Sequence, residues 1–516
     1  MVIPPMPERN TTVSPRRIAV IDVGSNSLRL VVFERLGGTL LPLLNEKVMC
    51  GLGRGIAASG RLNPEGKALA LPNLERFVGL ARALDADHLA VIATSAVRDA
   101  GDGADFAAEV ERRCAVPVRI IDGGEEGRLS AAGVLAGIPG AEGVVGDLGG
   151  GSVELVPLAT ADVFAPEVDP IGPGVSLPLG PLRLAEYCDN MRAIGEAIDR
   201  AAAGAGVLQH ANGKALFLVG GAWRAIARLH MEQSRYPLHI IHEYTLSRRS
   251  AEAFLDLVIP LSRRSLERIT TIARKRLEVV PLAALILRKL IAIGKPDSVV
   301  FSAFGLREGY AYGLMSAQQR GDDPLIAACQ ALGCSQSPLP IDGDRLQKWT
   351  APLFPGLSAA RRRLHSAVCW LSDIGWVEHP DYRARHVFER SLRLPIAGLG
   401  HKDRVFVATA LHARYGGAAE DRIKDPTRSL LDDRAGEEAR SLGLALRLAY
   451  TLCGGATALL TQVPLRLQGD GVVLQASPGD HRFGGEAVQR RLDAVGRSLG
   501  LETRAGRPRN GRPIPA

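Results

Sequence analysis

The sequence is poor in the features that tie a chain to a metal scaffold, a disulfide framework or a membrane. Its seven cysteines are scattered, odd in number and never spaced as CxxC. That pattern excludes a zinc ribbon, argues against a disulfide framework and makes a reducing, cytoplasmic setting the expectation. Residues 1–15 carry prolines and charges without an apolar segment, so a flexible leader is expected and no signal peptide. The most apolar stretch, residues 279–287, contains Pro281 and is flanked by Arg and Lys, far short of the roughly 20 residues a membrane span needs. No GxxxxGK[ST] occurs, which excludes a P-loop enzyme, and His239-Ile-Ile-His242-Glu243 lacks the spacing of a zinc-protease helix. Basic segments interleaved with aromatic residues are also missing, so nucleic acid is not an expected partner.

What is present is an ordinary globular composition, 46% hydrophobic and 23% charged. At 516 residues the chain is too long for one core, and about three domains are expected. Lys and Arg outnumber Asp and Glu by 63 to 55, a balance that favours anionic partners. A buried strand at Arg17-Ile-Ala-Val-Ile-Asp22 is followed by a helix over 64–84, a strand over 88–93, a helix over 104–114, a strand over 117–121 and a helix carrying 128–134. This alternation predicts an α/β domain with a largely parallel sheet. A second unit starts at the strand 143–147 and ends at a strand over 298–302 and a helix from Gly305. The predicted division is a leader 1–15, a first α/β domain 16–138, a second 139–317, a helical domain 318–455, a small α/β unit 456–503 and a disordered tail 504–516. Residues 318–324 are the expected linker.

The strongest signal is an internal repeat. Ile21-Asp22-Val23-Gly24-Ser25-Asn26-Ser27-Leu28-Arg29-Leu30 aligns with Gly146-Asp147-Leu148-Gly149-Gly150-Gly151-Ser152-Val153-Glu154-Leu155, 125 positions later. Both read as strand, Asp, apolar, Gly, two small residues, Ser, strand. A hairpin loop almost free of bulky side chains lets backbone N–H groups approach phosphate oxygens, and a carboxylate at the strand end suits Mg²⁺ or its bound water. Two facing copies would clamp a phosphate chain from both sides. By comparison Gly51-Leu-Gly-Arg-Gly55 is weak, because it lacks the strand–helix setting of a dinucleotide turn.

The paired loops resemble the phosphate motifs of the sugar kinase/Hsp70/actin superfamily. Within it, five strings resemble the exopolyphosphatase/guanosine-pentaphosphate phosphatase family over residues 17–315. They are Asp22-Val-Gly-Ser-Asn-Ser27, Ala93-Thr-Ser-Ala-Val-Arg98, Gly123-Gly-Glu-Glu-Gly-Arg128, Asp147-Leu-Gly-Gly-Gly-Ser-Val-Glu154 and Ser302-Ala-Phe-Gly-Leu-Arg-Glu-Gly309. The resemblance implies two actin-like, ribonuclease H-like domains. It also implies Glu126 as the group that activates the attacking water and Asp147 and Glu154 as magnesium ligands. Asp22, Gly24, Ser25, Asn26, Ser27, Arg98, Gly149, Gly150, Gly151 and Ser152 would line the phosphate site. A homodimer is implied by analogy alone.

Two departures matter. The segment matching the adenosine pocket reads Leu218-Val-Gly-Gly-Ala-Trp-Arg224, and its aromatic and cation do not suit a standard adenosine site. Residues 365–416 resemble the HD-type helical domain of long family members, but Ser372 stands where His should precede Asp373, so a second metal site is incomplete. The helical region is therefore expected to be a scaffold that lengthens a binding groove or forms a dimer contact. The basic clusters Arg263-Arg264, Arg274-Lys-Arg276 and Arg361-Arg-Arg363 would guide a polyanion or simply be solvated.

The function expected from these residues is Mg²⁺-dependent removal of terminal phosphate from inorganic polyphosphate. Guanosine pentaphosphate is the alternative substrate, and a silent polyphosphate- or alarmone-binding regulator the remaining alternative. A kinase of the same superfold is opposed by Glu126 and the altered adenosine segment.

Overall fold

The computed structural model describes residues 16–159, 169–187, 190–262, 264–266, 277, 279–423, 425–469, 471–475 and 481–505. The expected leader, Cys188, Arg263, Arg274-Lys-Arg276 and the tail from residue 506 lie outside these. The chain divides into two compact units. One comprises the chain up to Arg235 together with Ile241–Asp322; the other comprises Tyr236–Ile240 and everything from Asp323. The boundary falls inside the expected linker, of which Ala317–Gly321 is helical and capped by Ser316.

The first unit holds two sheets. In one, β1 (Arg16–Val23), β2 (Leu28–Leu36) and β3 (Thr39–Val48) form an antiparallel meander, and β4 (His88–Ala93) and β5 (Val118–Ile120) add in parallel, giving the order β3-β2-β1-β4-β5. In the other, β6 (Gly143–Leu148), β7 (Val153–Leu158) and β8 (Val175–Leu177) form the meander. There β9 (Ala215–Val219) and β11 (Ser298–Phe301) add in parallel, and β10 (Tyr244–Ser247) closes the edge. The repeat seen in the sequence is therefore a repeat of whole sheets.

The central strand β1 is apolar throughout because both its faces are covered. Ala19, Ile21 and Val23 pack with Leu74, Phe77 and Val78 of the helix Pro64–Ala83. Ile18 and Val20 pack with Leu306, Ala311 and Met315. The helix Leu306–Gly313 thus returns to the first sheet, although the sequence division at 317 places it in the second domain. It crosses the helix Gly123–Gly137 through glycine contacts: a Cβ on Gly309 would lie 1.8 Å from Leu129 O, and one on Gly133 would lie 2.1 Å from Gly305 O. No side chain fits there.

The second unit is helical with a three-stranded sheet, β12 (Leu465–Gln468), β13 (Gly471–Leu474) and β14 (Glu502–Ala505), in that order. The small α/β unit expected as a separate domain shares one core with the helices: Leu346, Phe406, Leu446, Val472, Leu492 and Val495 are buried in the same cluster. Three short strands bury too little to stand alone. Arg504 and Ala505, expected to begin a disordered tail, lie in β14 and pair with Val473 and Leu474 of β13. No helix among the described residues is long and apolar enough to cross a membrane.

The HD-like position is held by hydrogen bonds and an ion pair among its own side chains. Ser372 Oγ donates to Cys369 O at 2.6 Å and lies 3.0 Å from Tyr450 Oη. Asp373 accepts from Ser337 Oγ at 3.0 Å and faces Arg414 Nη2 at 3.5 Å. The Arg414 guanidinium lies over the Tyr450 and Tyr415 rings, 3.7 and 4.6 Å from their centroids. A guanidinium stacked between aromatic rings supplies the positive charge beside Asp373. His365 is engaged by Glu438, 3.0 Å away.

Candidate active site

The two hairpin loops are built alike. Gly24 N donates to Ser27 O at 3.1 Å, and Gly149 N donates to Ser152 O at 3.0 Å. A backbone strap then holds each loop from outside. Gly51 N donates to Asn26 O and Gly53 N to Ser25 O, while Gly180 N donates to Gly151 O and Leu182 N to Gly150 O. The segment at Gly51–Gly55, weak as a motif, is thus the strap of the first loop, and its counterpart Gly180–Leu182 was not singled out by sequence at all. The straps run tight: a Cβ on Gly53 would sit 2.8 Å from Ser25 Cβ, and one on Gly180 would sit 2.3 Å from Gly150 O. With their carbonyls tied back, Ser25, Asn26, Gly150 and Gly151 donate no backbone hydrogen bond from their own N–H groups among the described residues.

The loops meet face to face. A Cβ on Gly150 would lie 2.9 Å from Ser25 Cβ, and one on Gly151 would lie 3.3 Å from Ser95 Oγ. Ser25 Oγ and Ser95 Oγ are 2.9 Å apart, which ties the first loop to the Thr94-Ser95 turn after β4. A cavity of about 470 Å³ opens here, lined by Ser25, Ser95, Gly150 and Gly151 on the loop side and by Asp99 and Arg183 at the rim. Asn26 and Ser27 contribute through their carbonyls, which accept from Gly51 N and Gly24 N.

The strands that flank the second loop carry Asp147, partly buried, and Glu154, buried, and Glu126 is buried within electrostatic reach of both. Asp147 and Glu154 face each other across β6 and β7, and neighbouring carboxylates on one face repel. Asp147 Oδ2 accepts from Ser130 Oγ, and Glu154 Oε1 accepts from Ser176 Oγ at 2.8 Å. Glu154 Oε2 and Ser152 Oγ are both buried without a hydrogen bond, although the hydroxyl is near enough to favour the ionised carboxyl. Burial, aided by Asp147, pushes Glu154 up to about 7. Burial raises Asp147 as well, opposed by Ser130.

Glu126 sits in the first turn of the helix Gly123–Gly137, whose N-cap Asp122 accepts from Glu125 N. The macrodipole favours an acid at that position, but Glu126 is only 7% exposed. Burial first, then Glu154 and Asp147, push its carboxyl well above the usual range, and Arg98 pulls the other way. Arg98 Nη1 donates to Glu126 Oε2 at 3.3 Å and to Ile121 O at 3.0 Å. Three carboxyls therefore sit within electrostatic reach of one another, with Arg98 acting against Glu126 and Glu154 and Arg224 and Arg307 against Asp147.

Asp22 behaves differently from its repeat partner. Arg307 Nη1 donates to Asp22 Oδ2 at 2.7 Å, and burial still holds the carboxyl above its usual range. Arg307 is 8% exposed and its Nε has no partner. It stands in the fifth sequence string but was not among the candidate site residues; its place inside a glycine-led helix start was the available signal. Arg29 and Arg224 lie close by, both lowered to about 10 by burial and by Arg307. Arg224 donates to Ser302 O and Ala303 O. Trp223 is fully buried, packed against Gly146, with Nε1 donating to Ala283 O at 3.1 Å. The two residues that break the adenosine segment are thus core and brace.

The donor set fits Mg²⁺ better than a softer metal. Among the described residues no group of three or more His, Cys, Asp or Glu is placed to hold a metal ion. Mg²⁺ takes one or two carboxylates and completes its shell with water and substrate phosphate. Asp147 and Glu154, with an orphaned carboxylate oxygen between strands, match that requirement.

Comparison with known proteins agrees with this architecture. The model of the Ppx/GppA phosphatase family matches residues 14–318, and that of the exopolyphosphatase C-terminal region matches 325–504. Retrograde regulation protein 2 of Saccharomyces cerevisiae is 27% identical over 404 residues, 70% of this chain and 66% of that protein. Exopolyphosphatase 2 of Mycobacterium tuberculosis is 34% identical over 183 residues, 33% of this chain and 54% of that protein. The matched stretch thus spans between about half and two thirds of these relatives' own length. In three dimensions an exopolyphosphatase from Cytophaga hutchinsonii superposes with a TM-score of 0.52 at 22% identity, over 58% of this chain and 97% of that one. An exopolyphosphatase-like protein gives 0.52 at 24%, over 58% and 98%. These likenesses are to the two-lobed actin-like fold. The chain belongs to the Ppx/GppA phosphatase family, in its long form.

Proposed function

We propose that the protein hydrolyses the terminal phosphoanhydride of inorganic polyphosphate, releasing orthophosphate. The observation that carries this reading is the meeting of two amide-bearing loops at Ser25 and Gly150, tied through Ser95 and the helix Ser95–Asp99 to Arg98 and the buried Glu126 carboxyl that it contacts. The free N–H groups of Ser25, Asn26, Gly150 and Gly151 would hold the equatorial oxygens of the terminal phosphate and of its neighbour. Arg98 would add a fixed cation beside them. Glu126 would accept the proton of the attacking water as its oxygen bonds to phosphorus, and the leaving phosphate chain departs with the electron pair of the broken P–O bond. A high carboxyl pKa makes Glu126 a stronger base for that proton than an exposed glutamate.

Mg²⁺ bound at Asp147 and Glu154 would supply charge neutralisation to the phosphates. Ser130 and Ser176 fix those two carboxylates, and Arg307 keeps Asp22 from adding a further free negative charge. Phosphate release from long-chain polyphosphate and from guanosine pentaphosphate, with Mg²⁺, tests the reading. Glu126→Gln should lower the rate by roughly 10²–10⁴-fold. Release from guanosine pentaphosphate alone would move the substrate to the nucleotide. Full activity in the variant would refute the base.

A second reading, a binding regulator without turnover, has one observation behind it. The relative matched over 70% of this chain is by name a regulatory protein. Tight polyphosphate binding with no phosphate release would establish it.

A further inference from the structure

An alternating chain of charges crosses the cleft and ends on Glu126. Arg183, on the helix Pro181–Tyr187 that follows β8, donates from Nη2 to Asp99 Oδ2 at 2.5 Å. Asp99, at the end of the helix Ser95–Asp99 after β4, accepts at Oδ1 from Arg98 Nε at 3.3 Å. Arg98 Nη1 then reaches Glu126 Oε2 at 3.3 Å. The outer members are wetter than the inner one: side-chain exposure runs 31% for Arg183, 30% for Asp99, 23% for Arg98 and 9% for Glu126.

A lone arginine side chain of this length has many rotamers, but a planar guanidinium engaged on two sides by two carboxylates has its plane set. Asp99 takes the Nε side of Arg98 and Glu126 takes an Nη. Without Asp99, Arg98 keeps one charged contact and a carbonyl, and its plane is free to turn. Asp99 itself is held by Arg183, from the helix that follows β8 of the second sheet. Both Asp99 and Arg183 line the cavity rim, and Leu182, next to Arg183, belongs to the strap that holds Gly150. Parting the two loops would part this pair.

We propose that Asp99 and Arg183 are positioning residues: their ion pair latches the two walls of the phosphate cleft and, through Arg98, sets the geometry of Glu126. This rests on Glu126 being the base, as inferred above. Closure of the cleft and orientation of Arg98 become one event, so the base is aligned only when both loops are on the phosphate chain.

The test uses the full-length protein and the variants Arg183→Met, Arg183→Lys, Asp99→Asn and the Asp99→Asn/Arg183→Met pair, with Arg98→Met and Glu126→Gln for reference. Phosphate release from long-chain polyphosphate and from guanosine pentaphosphate is followed with Mg²⁺, alongside melting temperature and hydrogen exchange of the Ser95–Asp99 amides. Arg183→Met and Asp99→Asn should each lower kcat on the order of 10-fold, with a smaller change in KM than Arg98→Met gives. The double variant should be no worse than the poorer single, because the two act as a unit. Arg183→Lys should recover most of the loss. Exchange at Ser95–Asp99 should quicken in Arg183→Met while the Pro64–Ala83 helix is unchanged. Native turnover in Arg183→Met, additive losses, or a loss that tracks a fallen melting temperature would overturn the latch. If Glu126→Gln itself keeps full activity, the assignment of the base fails separately, and unchanged exchange in Arg183→Met would then overturn the latch on its own.

Discussion

Replacing Glu154 by Gln should stabilise the protein at alkaline pH and leave it unchanged in acid. Glu154 is 1% exposed and carries a partnerless oxygen, and burial beside Asp147 lifts its carboxyl from the usual 4.5 to about 7. A folded-state value above the unfolded one means that the contribution to stability is complete below pH 4.5. It is then lost as pH rises through 7. Fully ionised, the group costs the folded state roughly 3 kcal/mol. Glutamine keeps the shape and can still accept from Ser176, but it never ionises. By pH 8 in metal-free buffer the variant should therefore exceed the native protein by about 3 kcal/mol, or roughly 5–10 °C in melting temperature for a unit of this size. Differential scanning calorimetry at several pH values between 4 and 9 measures it, following the transition that responds to the substitution. Millimolar Mg²⁺ should narrow the gap at pH 8 by stabilising the native protein alone, because only the ionised pair binds it. A gap that is flat with pH, or Mg²⁺ stabilising both proteins equally, would refute the claim that this carboxyl is desolvated and set for a cation.

Three further substitutions, with Gly79→Ala as a control, probe other parts of the chain. Gly180→Ala would press a Cβ to within 2.3 Å of Gly150 O and should cost about 1–3 kcal/mol and most turnover, whereas Gly79→Ala, with open space and an exposed helical position, should stabilise by about 0.5–1 kcal/mol; equal melting shifts would refute the strap. Arg307→Met takes its hydrogen-bonded cation from the partly exposed Asp22 carboxyl, leaving Arg29 across the strand pair, and should cost about 1–3 kcal/mol at neutral pH, with part of that loss regained in acid as Asp22 takes up a proton. Arg414→Met removes the cation beside Asp373 and should destabilise by a similar amount, with no recovery on adding divalent metal; recovery would mean that the HD-like site binds a metal after all.

Much of the first unit could be read directly from local patterning. The strand at 88–93 coincides with β4 and the helix at 64–84 with Pro64–Ala83 within a residue, because each is a period-true apolar pattern bounded by turn residues. The twin loops were legible because the chemistry of a phosphate loop is backbone chemistry, and glycine and serine spacing states it openly. The straps were not. Gly180-Pro-Leu182 has no motif character, and its job depends on a register shared with Gly150 and Gly151 that only the folded sheet supplies. Arg307 was hidden for a related reason: its partner Asp22 is 285 residues away. The small C-terminal unit was misjudged as independent because sequence shows elements and not how much surface they bury; its strands share the helical core. Trp223 stands out in the sequence as a bulky residue in the segment matching an adenosine pocket, but its fully buried place against Gly146 needed the structure.

The asymmetry of the repeat carries the functional argument furthest. At equivalent positions of the two hairpins the cross-strand pair is Asp22 with Arg29 in the first and Asp147 with Glu154 in the second. An opposite-charge pair across a sheet is stabilising and a like-charge pair is not. The first hairpin therefore neutralises its own carboxylate, with Arg307 added to the same task. The second keeps two acids facing each other, Glu154 buried and Asp147 partly so, beside a third in Glu126, all raised above their usual range. A duplicated clamp that needed only to grip phosphate would have no use for that difference, since the amide-bearing loops are alike. On the function proposed above, both loops would grip the phosphate chain, while the second hairpin alone would add a cation site beside the base. Exchanging the pairs tests this directly: Glu154→Arg should raise the stability of the metal-free protein at pH 8, abolish Mg²⁺-dependent stabilisation and end turnover together. Any one of these three persisting unchanged would separate the electrostatics of the second hairpin from its chemistry.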